Sequence, residues 1–259
     1  MEILLTWGYA IFLSAPRLLG MHIALPMFSE SAVPHRVRSG LSLALAIFTM
    51  PVILAQGPPP HSPWIIGGLA LKEIFIGYAI GFPAALLNYA AQSAGDMVSF
   101  QSGASMSTFF DKSVNEEVTP MGNILRRYAE VLFFVSGAYS ALLAVLFKSF
   151  SLWPVCSFIP KLRAEGMDFF ITSINHYFTA TCLLAFPALT CIFLITFCLG
   201  LIGRYLPQLN VFFVSMPLQC LSACFIMAVS FPVYALILKG HFTVIDGGMK
   251  TLARAFGSQ

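Results

Sequence analysis

The chain has 259 residues, of which 58% are hydrophobic and 10% charged, with a mean hydropathy of +0.83. Soluble domains carry about a quarter charged residues, so composition excludes an ordinary water-soluble globule and points to one membrane domain over residues 1–259. The net charge of +3 is small and scattered, leaving no basic stripe for nucleic acid and no polybasic patch for anionic headgroups.

The N-terminus reads MEILLTWGYAIFLSAPRLLG. Glu2 stands where a secretory signal needs basic residues, and Arg17 follows the apolar run, so this is expected to be a retained first segment. Its apolar block covers 3–28. In the next stretch, FSESAVPHRVRSG, Pro34 is placed to start a helix, with Arg36 and Arg38 near its beginning. A second block covers 40–55, and QGPPPHSP after it is a stiff polyproline-like turn.

The third block, 64–95, contains Lys72 and Glu73. A charge at the centre of a membrane helix costs about 2.5–3.5 kcal/mol, so both must face protein or water. Glu73, Gly77 and Gly81 recur at i, i+4, i+8 and place one carboxylate on the same face as a G-x-x-x-G. The glycines admit a second helix at close range. Two readings are compatible: an internal helix crossing with an interfacial Lys72–Glu73 pair, and a subunit contact. Residues 88–127 follow, rich in small and polar types such as Gln92, Gly95, Asp96, Ser99, Gln101 and Gly103. That composition suits packing among helices or beside water and suits lipid badly. Phe109 and Phe110 precede a polar stretch ending at Pro120; such a pair either anchors at the membrane interface or plugs an aqueous path.

The remaining blocks are 131–147, 169–202 and 211–238. A bilayer core about 30 Å thick needs about 20 helical residues. The last two blocks, as single helices, would run about 50 Å and about 42 Å. Pro187 divides the first and Pro217 and Pro232 interrupt the second, so kinked helices or helical hairpins are expected rather than straight rods. Between them, GRYLPQLNVFF concentrates Arg204, Pro207, Gln208 and Asn210 at a polar bend. If the six blocks were six simple spans, basic residues would tie, six on each side, where a membrane protein usually shows a bias. Some segments therefore do not cross in the ordinary way. The last three residues, Gly257 to Gln259, look like an expression scar and carry no weight.

Catalytic and cofactor motifs are missing from the sequence: no Walker loop, no H-E-x-x-H and no G-x-S-x-G. Five of the six cysteines lie in apolar runs with no C-x-x-C pair; Cys220 and Cys224 share a helix face, which leaves metal or redox chemistry a minor alternative to packing. The five histidines are scattered, and His176 reads as a helix-contact residue. No cofactor is expected. A stand-alone secondary transporter of a small solute or ion is the alternative function, although no corresponding pair of interrupted halves is visible.

Three blocks together resemble the FliR/SctT family, the T component of the type III secretion export apparatus shared by injectisomes and flagella. They are RLLGMHIALPMFSESAVPHRVRSGLSLALA, KEIFIGYAIGF with SAGDMVSFQSGASMSTFFD, and RYLPQLNVFFVSMPLQ. The resemblance covers nearly the whole chain. It implies an all-α integral membrane subunit of kinked helices and hairpins within a helical, pseudo-hexameric export gate. Implied partners are five copies of the R component and four of the S component, then the switch protein U and the export gate V, with unfolded secreted proteins as cargo. It implies a multi-pass protein of the bacterial inner membrane, partly raised toward the periplasm, with no enzyme activity. It further implies that the loop from Ser105 to Pro120 helps close the pore, with Phe109, Phe110 and Met106 as its bulky part. Arg204, Pro207, Gln208 and Asn210 are then expected to form a hairpin bend buried against neighbours, and Glu73, Gly77 and Gly81 a packing or subunit contact.

Overall fold

The computed structural model describes residues 2–29, 32–56, 63–104, 119–157, 165–206, 208 and 210–257. Among the described residues the regular structure is entirely helical: α1 (Glu2–Ala24), a 3₁₀ turn (Pro26–Phe28), α2 (His35–Leu54), α3 (Pro63–Gln101), α4 (Pro120–Val135), α5 (Ala138–Leu152), α6 (Glu165–Tyr205) and α7 (Val211–Gly257). Pro34 is the N-cap of α2, and Pro63 and Pro120 are the first residues of α3 and α4. At a first helical position the missing N–H costs nothing and the fixed φ already suits the helix.

Among the described residues four helices are long and apolar enough to cross a membrane: α2, and the parts of α3, α6 and α7 at Trp64–Gln101, Phe170–Tyr205 and Val211–Phe242. The chain is an all-α, multi-pass membrane protein. Two expectations about the blocks need correcting. The block 131–147 is not one helix: α4 ends at Val135 and α5 begins at Ala138, with Ser136-Gly137 between them. Gly137 has φ +77°, a left-handed conformation that side-chain-bearing residues rarely adopt. The prolines, conversely, do not split their blocks. α6 continues through Pro187, and α7 through Pro217 and Pro232. Membrane helices tolerate interior proline because neighbouring groups satisfy the freed carbonyl, and an apolar solvent gives the backbone no better alternative than staying helical.

The chain forms two compact units. One comprises Met1–Leu86, Ser136–Ile174 and Phe242–Gln259, and the other Leu87–Val135 and Asn175–His241. In the first, α1, α2, the N-terminal part of α3 and α5 bury Leu13, Leu18, Met21, Leu69, Leu142 and Phe150. In the second, the small-residue face of α3 (Ala90, Ala91, Ala94, Gly95) is buried together with Leu125, Ala129 and Phe133 of α4 and Ala188, Ile192, Ala223 and Met227 of the α6–α7 pair. Small side chains bring helix axes close, which is how membrane helices gain packing energy when lipid supplies no hydrophobic drive.

Candidate functional site

Glu73, Gly77 and Gly81 lie on the face of α3 that meets α1, and all three are buried. A methyl group on Gly77 would overlap the Arg17 carbonyl. On Gly81 it would stand 2.9 Å from the Met21 carbonyl oxygen. Gly20 of α1 reciprocates, with the Ile74 backbone where its side chain would be. Backbone therefore meets backbone along this crossing. One turn before Gly77, Glu73 is fully buried and accepts from Arg17 Nε at 2.5 Å, with Lys72 Nζ 2.8 Å from its other oxygen. Arg17 is equally inaccessible, at 0% exposure, and its guanidinium stacks 4.1 Å from the centre of the Phe150 ring. Its remaining nitrogens donate to Ser149 Oγ (2.9 Å) and the Trp153 carbonyl (3.1 Å). Breaking such a pair from one side strands a buried charge and costs about 3–5 kcal/mol.

The same cluster fixes the turn after α5. Lys72 donates to the carbonyls of Val155 (2.7 Å) and Ser157 (2.9 Å). Gln56 donates to the Phe150 carbonyl at 2.8 Å and accepts from Val155 N–H at 2.9 Å. Arg17 of α1, Lys72 of α3 and Gln56 just beyond α2 thus contribute one side chain each to hold a non-helical segment whose backbone groups lipid would leave unsatisfied.

The second predicted cluster lies where α6 gives way to α7. Arg204 is in the last turn of α6, Gln208 and Asn210 are in the connection, all three are exposed, and Pro207 lies outside the described residues. A Cβ on Gly203 would come within 2.6 Å of the Val211 side chain. Further along, Gln219 Nε2 donates to Thr196 Oγ1 at 2.8 Å, and the rings of His176 and His241 stand 5.3 Å apart. These contacts, spaced outward from the bend, define an antiparallel hairpin about 40 Å long. Its outer faces carry Phe193 and Phe197, stacked and more than half exposed, with Phe213, Leu221, Phe225 and Leu236.

Met106, Phe109 and Phe110 fall outside the described residues. The chain leaves the described part at Ala104 and rejoins it at Thr119. Ala104 on one side and Pro120, next to Thr119, on the other line an apolar pocket of about 460 Å³ whose far wall is Met216, Pro217, Cys220 and Cys224 of α7.

Sequence reasoning missed three arrangements. Arg17 was legible only as the charge that follows the first apolar run, not as the partner of Glu73. His22 is buried, with Nδ1 2.8 Å from Ser42 Oγ and Nε2 3.0 Å from the Tyr139 hydroxyl. Ser42 already donates to the Arg38 carbonyl, so the network assigns the proton to His22 Nδ1 and makes Tyr139 the donor to Nε2. His176 meets His241 rather than standing alone. Among the described residues no group of three His, Cys, Asp or Glu side chains is placed to hold a metal ion.

The arrangement is one of helix packing, sealed charges and broad apolar faces. The family described as bacterial export proteins, family 1, matches residues 9–245. The chain belongs to this family. It is 32% identical over 227 residues to the Yop proteins translocation protein T of Yersinia pestis, covering 87% of this chain and 85% of that one. It is 29% identical to the secretion system apparatus protein SsaT of Salmonella typhimurium over 242 residues, 89% of each chain. It is 27% identical to the flagellar biosynthetic protein FliR of Escherichia coli over 241 residues, 93% of this chain and 91% of that one. The FliR/SctT resemblance carried by the three sequence blocks is thereby established, and with it a role in protein export by type III secretion or its flagellar counterpart.

Proposed function

We propose that this chain is a structural and gating subunit of a type III secretion export gate, passing unfolded proteins across the bacterial inner membrane. The observation that carries this reading is the family match over residues 9–245 together with relatives drawn from both secretion and flagellar machines. The injectisome is favoured over the flagellum because the identity is 32% to the Yop translocation protein and 27% to the flagellar protein of Escherichia coli. The chain acts without enzyme activity; its partners are the R and S components, in five and four copies, followed by U and V. It sits partly raised toward the periplasm.

In this reading Glu73, Gly77 and Gly81 are packing residues that shape the subunit for assembly, and Arg204, Pro207, Gln208 and Asn210 form the bend that neighbours cover. Met106, Phe109 and Phe110 are the bulk of the pore plug: apolar side chains exclude water and ions at rest by dewetting, yet yield around a passing polypeptide.

The test is native mass spectrometry of the chain expressed with and without its membrane partners. One copy per complex, with the chain scarce when alone, is the expected result; a stable monomer indifferent to partners overturns it. In assembled complexes, Phe109→Ala with Phe110→Ala is expected to leak small solutes at normal yield, and an unchanged seal counts against the plug.

A further inference from the structure

We propose that Asp96 is a positioning residue that clamps the C-terminal end of α3 to the start of α4. Asp96 sits about one and a half turns before the end of α3, and its Oδ1 accepts from Thr119 Oγ1 at 2.6 Å, with Thr119 N–H at 3.4 Å. Thr119 is 3% exposed and passes the interaction on: its Oγ1 accepts from Gly122 N–H at 3.1 Å, which makes it the N-cap of α4. The carboxylate thus sits at the start of α4, where the helix dipole favours negative charge.

Two glycines make room for this contact. A methyl group on Gly122 would overlap the Asp96 carboxylate. On Gly95 it would lie 2.6 Å from Gly122 Cα. α3 and α4 therefore touch through bare backbone at the point where the carboxylate bridges them. On the outgoing side, Ser102 N–H donates to the Val98 carbonyl at 2.9 Å, and Gly103, with φ +73°, turns the chain out of α3. Gly103 is about 10 Å along the helix from Asp96. The end of α3 and the start of α4 are consequently tied within about two helical turns of Gly103, and the Asp96 side chain sets that spacing.

What this does to the seal rests on the gating reading above, so the experiment separates the two. The full complex would be compared with complexes carrying Asp96→Ala or Asp96→Asn, by hydrogen–deuterium exchange and by solute leak at rest. In Asp96→Ala, amides of residues 119–125 are expected to exchange about tenfold faster, since a charge-assisted bond is lost. The α6–α7 hairpin should be unchanged. Asp96→Asn, which keeps an acceptor, should lie between. Unchanged exchange at 119–125 in Asp96→Ala overturns the clamp. Faster exchange with leak supports both clamp and gating. Faster exchange with an intact seal supports the clamp and counts against gating alone. If Asp96→Ala does not assemble, Thr119→Val, close in shape but lacking the hydroxyl, carries the same test, with Thr119→Ser as its rescue.

Discussion

The α1–α3 crossing and the α6–α7 hairpin solve opposite problems with the same apolar alphabet. At the crossing, a buried Arg17 and Glu73 and a half-buried Lys72 are matched to one another and to five main-chain or hydroxyl partners, and glycines bring the backbones into contact. Along the hairpin the polar ties are sparse, Thr196 to Gln219 and the His176–His241 edge contact, while large aromatic side chains face outward. Charges in an apolar medium have to be satisfied within the chain, so the crossing is internally specified. Exposed phenylalanine carries no such demand, and the hairpin leaves its outer faces to lipid or to other subunits.

Substitutions can break or sharpen that contrast. The largest effect is expected from Gly77→Leu, whose side chain has to displace the α1 backbone at Arg17. The yield of assembled complex, read by native mass spectrometry, should fall more than about tenfold, a loss of at least the size overpacking brings. Normal yield would show that the crossing is loose. Next, Glu73→Ala should destabilise by about 3–5 kcal/mol in denaturant unfolding. The double replacement Arg17→Met, Glu73→Leu should cost less than the single change, because the fully buried Arg17 is not left stranded and Lys72 keeps its carbonyl partners. A double variant worse than the single would mean the ion pair contributes more than it costs to bury. Gln219→Leu is expected to cost about 1 kcal/mol, the size of one interhelical hydrogen bond in a membrane protein. Smallest for the chain itself is Phe193→Ser with Phe197→Ser: its own unfolding should move by no more than about 0.5 kcal/mol. Its incorporation into complexes should fall, and equal incorporation would hand those faces to lipid.

What could be read in advance follows range and periodicity. The spacing of Glu73, Gly77 and Gly81 is local and visible on one helix. Their counterparts Arg17, Met21 and Gly20 lie 50 or more residues away, and no spacing rule links them. The break between α6, ending at Tyr205, and α7, beginning at Val211, was legible because polar residues between two apolar runs have few other places to go. The continuity of α6 and α7 was not, because proline signals a break in water and a tolerable irregularity in an apolar medium. The hinge inside 131–147 was hidden for the opposite reason: Gly137 and its neighbours keep hydropathy high, so the apolar run conceals a turn set by backbone conformation. Asp96 stood out only as part of a motif; its partner Thr119 looked like loop.

The Arg17–Glu73 contact also has a biosynthetic consequence. The two residues are 56 positions apart, and the Trp153 carbonyl that accepts from Arg17 is 136 positions away. At about 5–20 residues per second, a ribosome delivers Glu73 about 3–11 s after Arg17. For that interval α1 carries an uncompensated cation that lipid penalises. The first helix is therefore a poor early passenger into the bilayer: it has to linger at the insertion machinery or at the water interface until α3 arrives with the matching charge. The order of synthesis is written into the order of assembly.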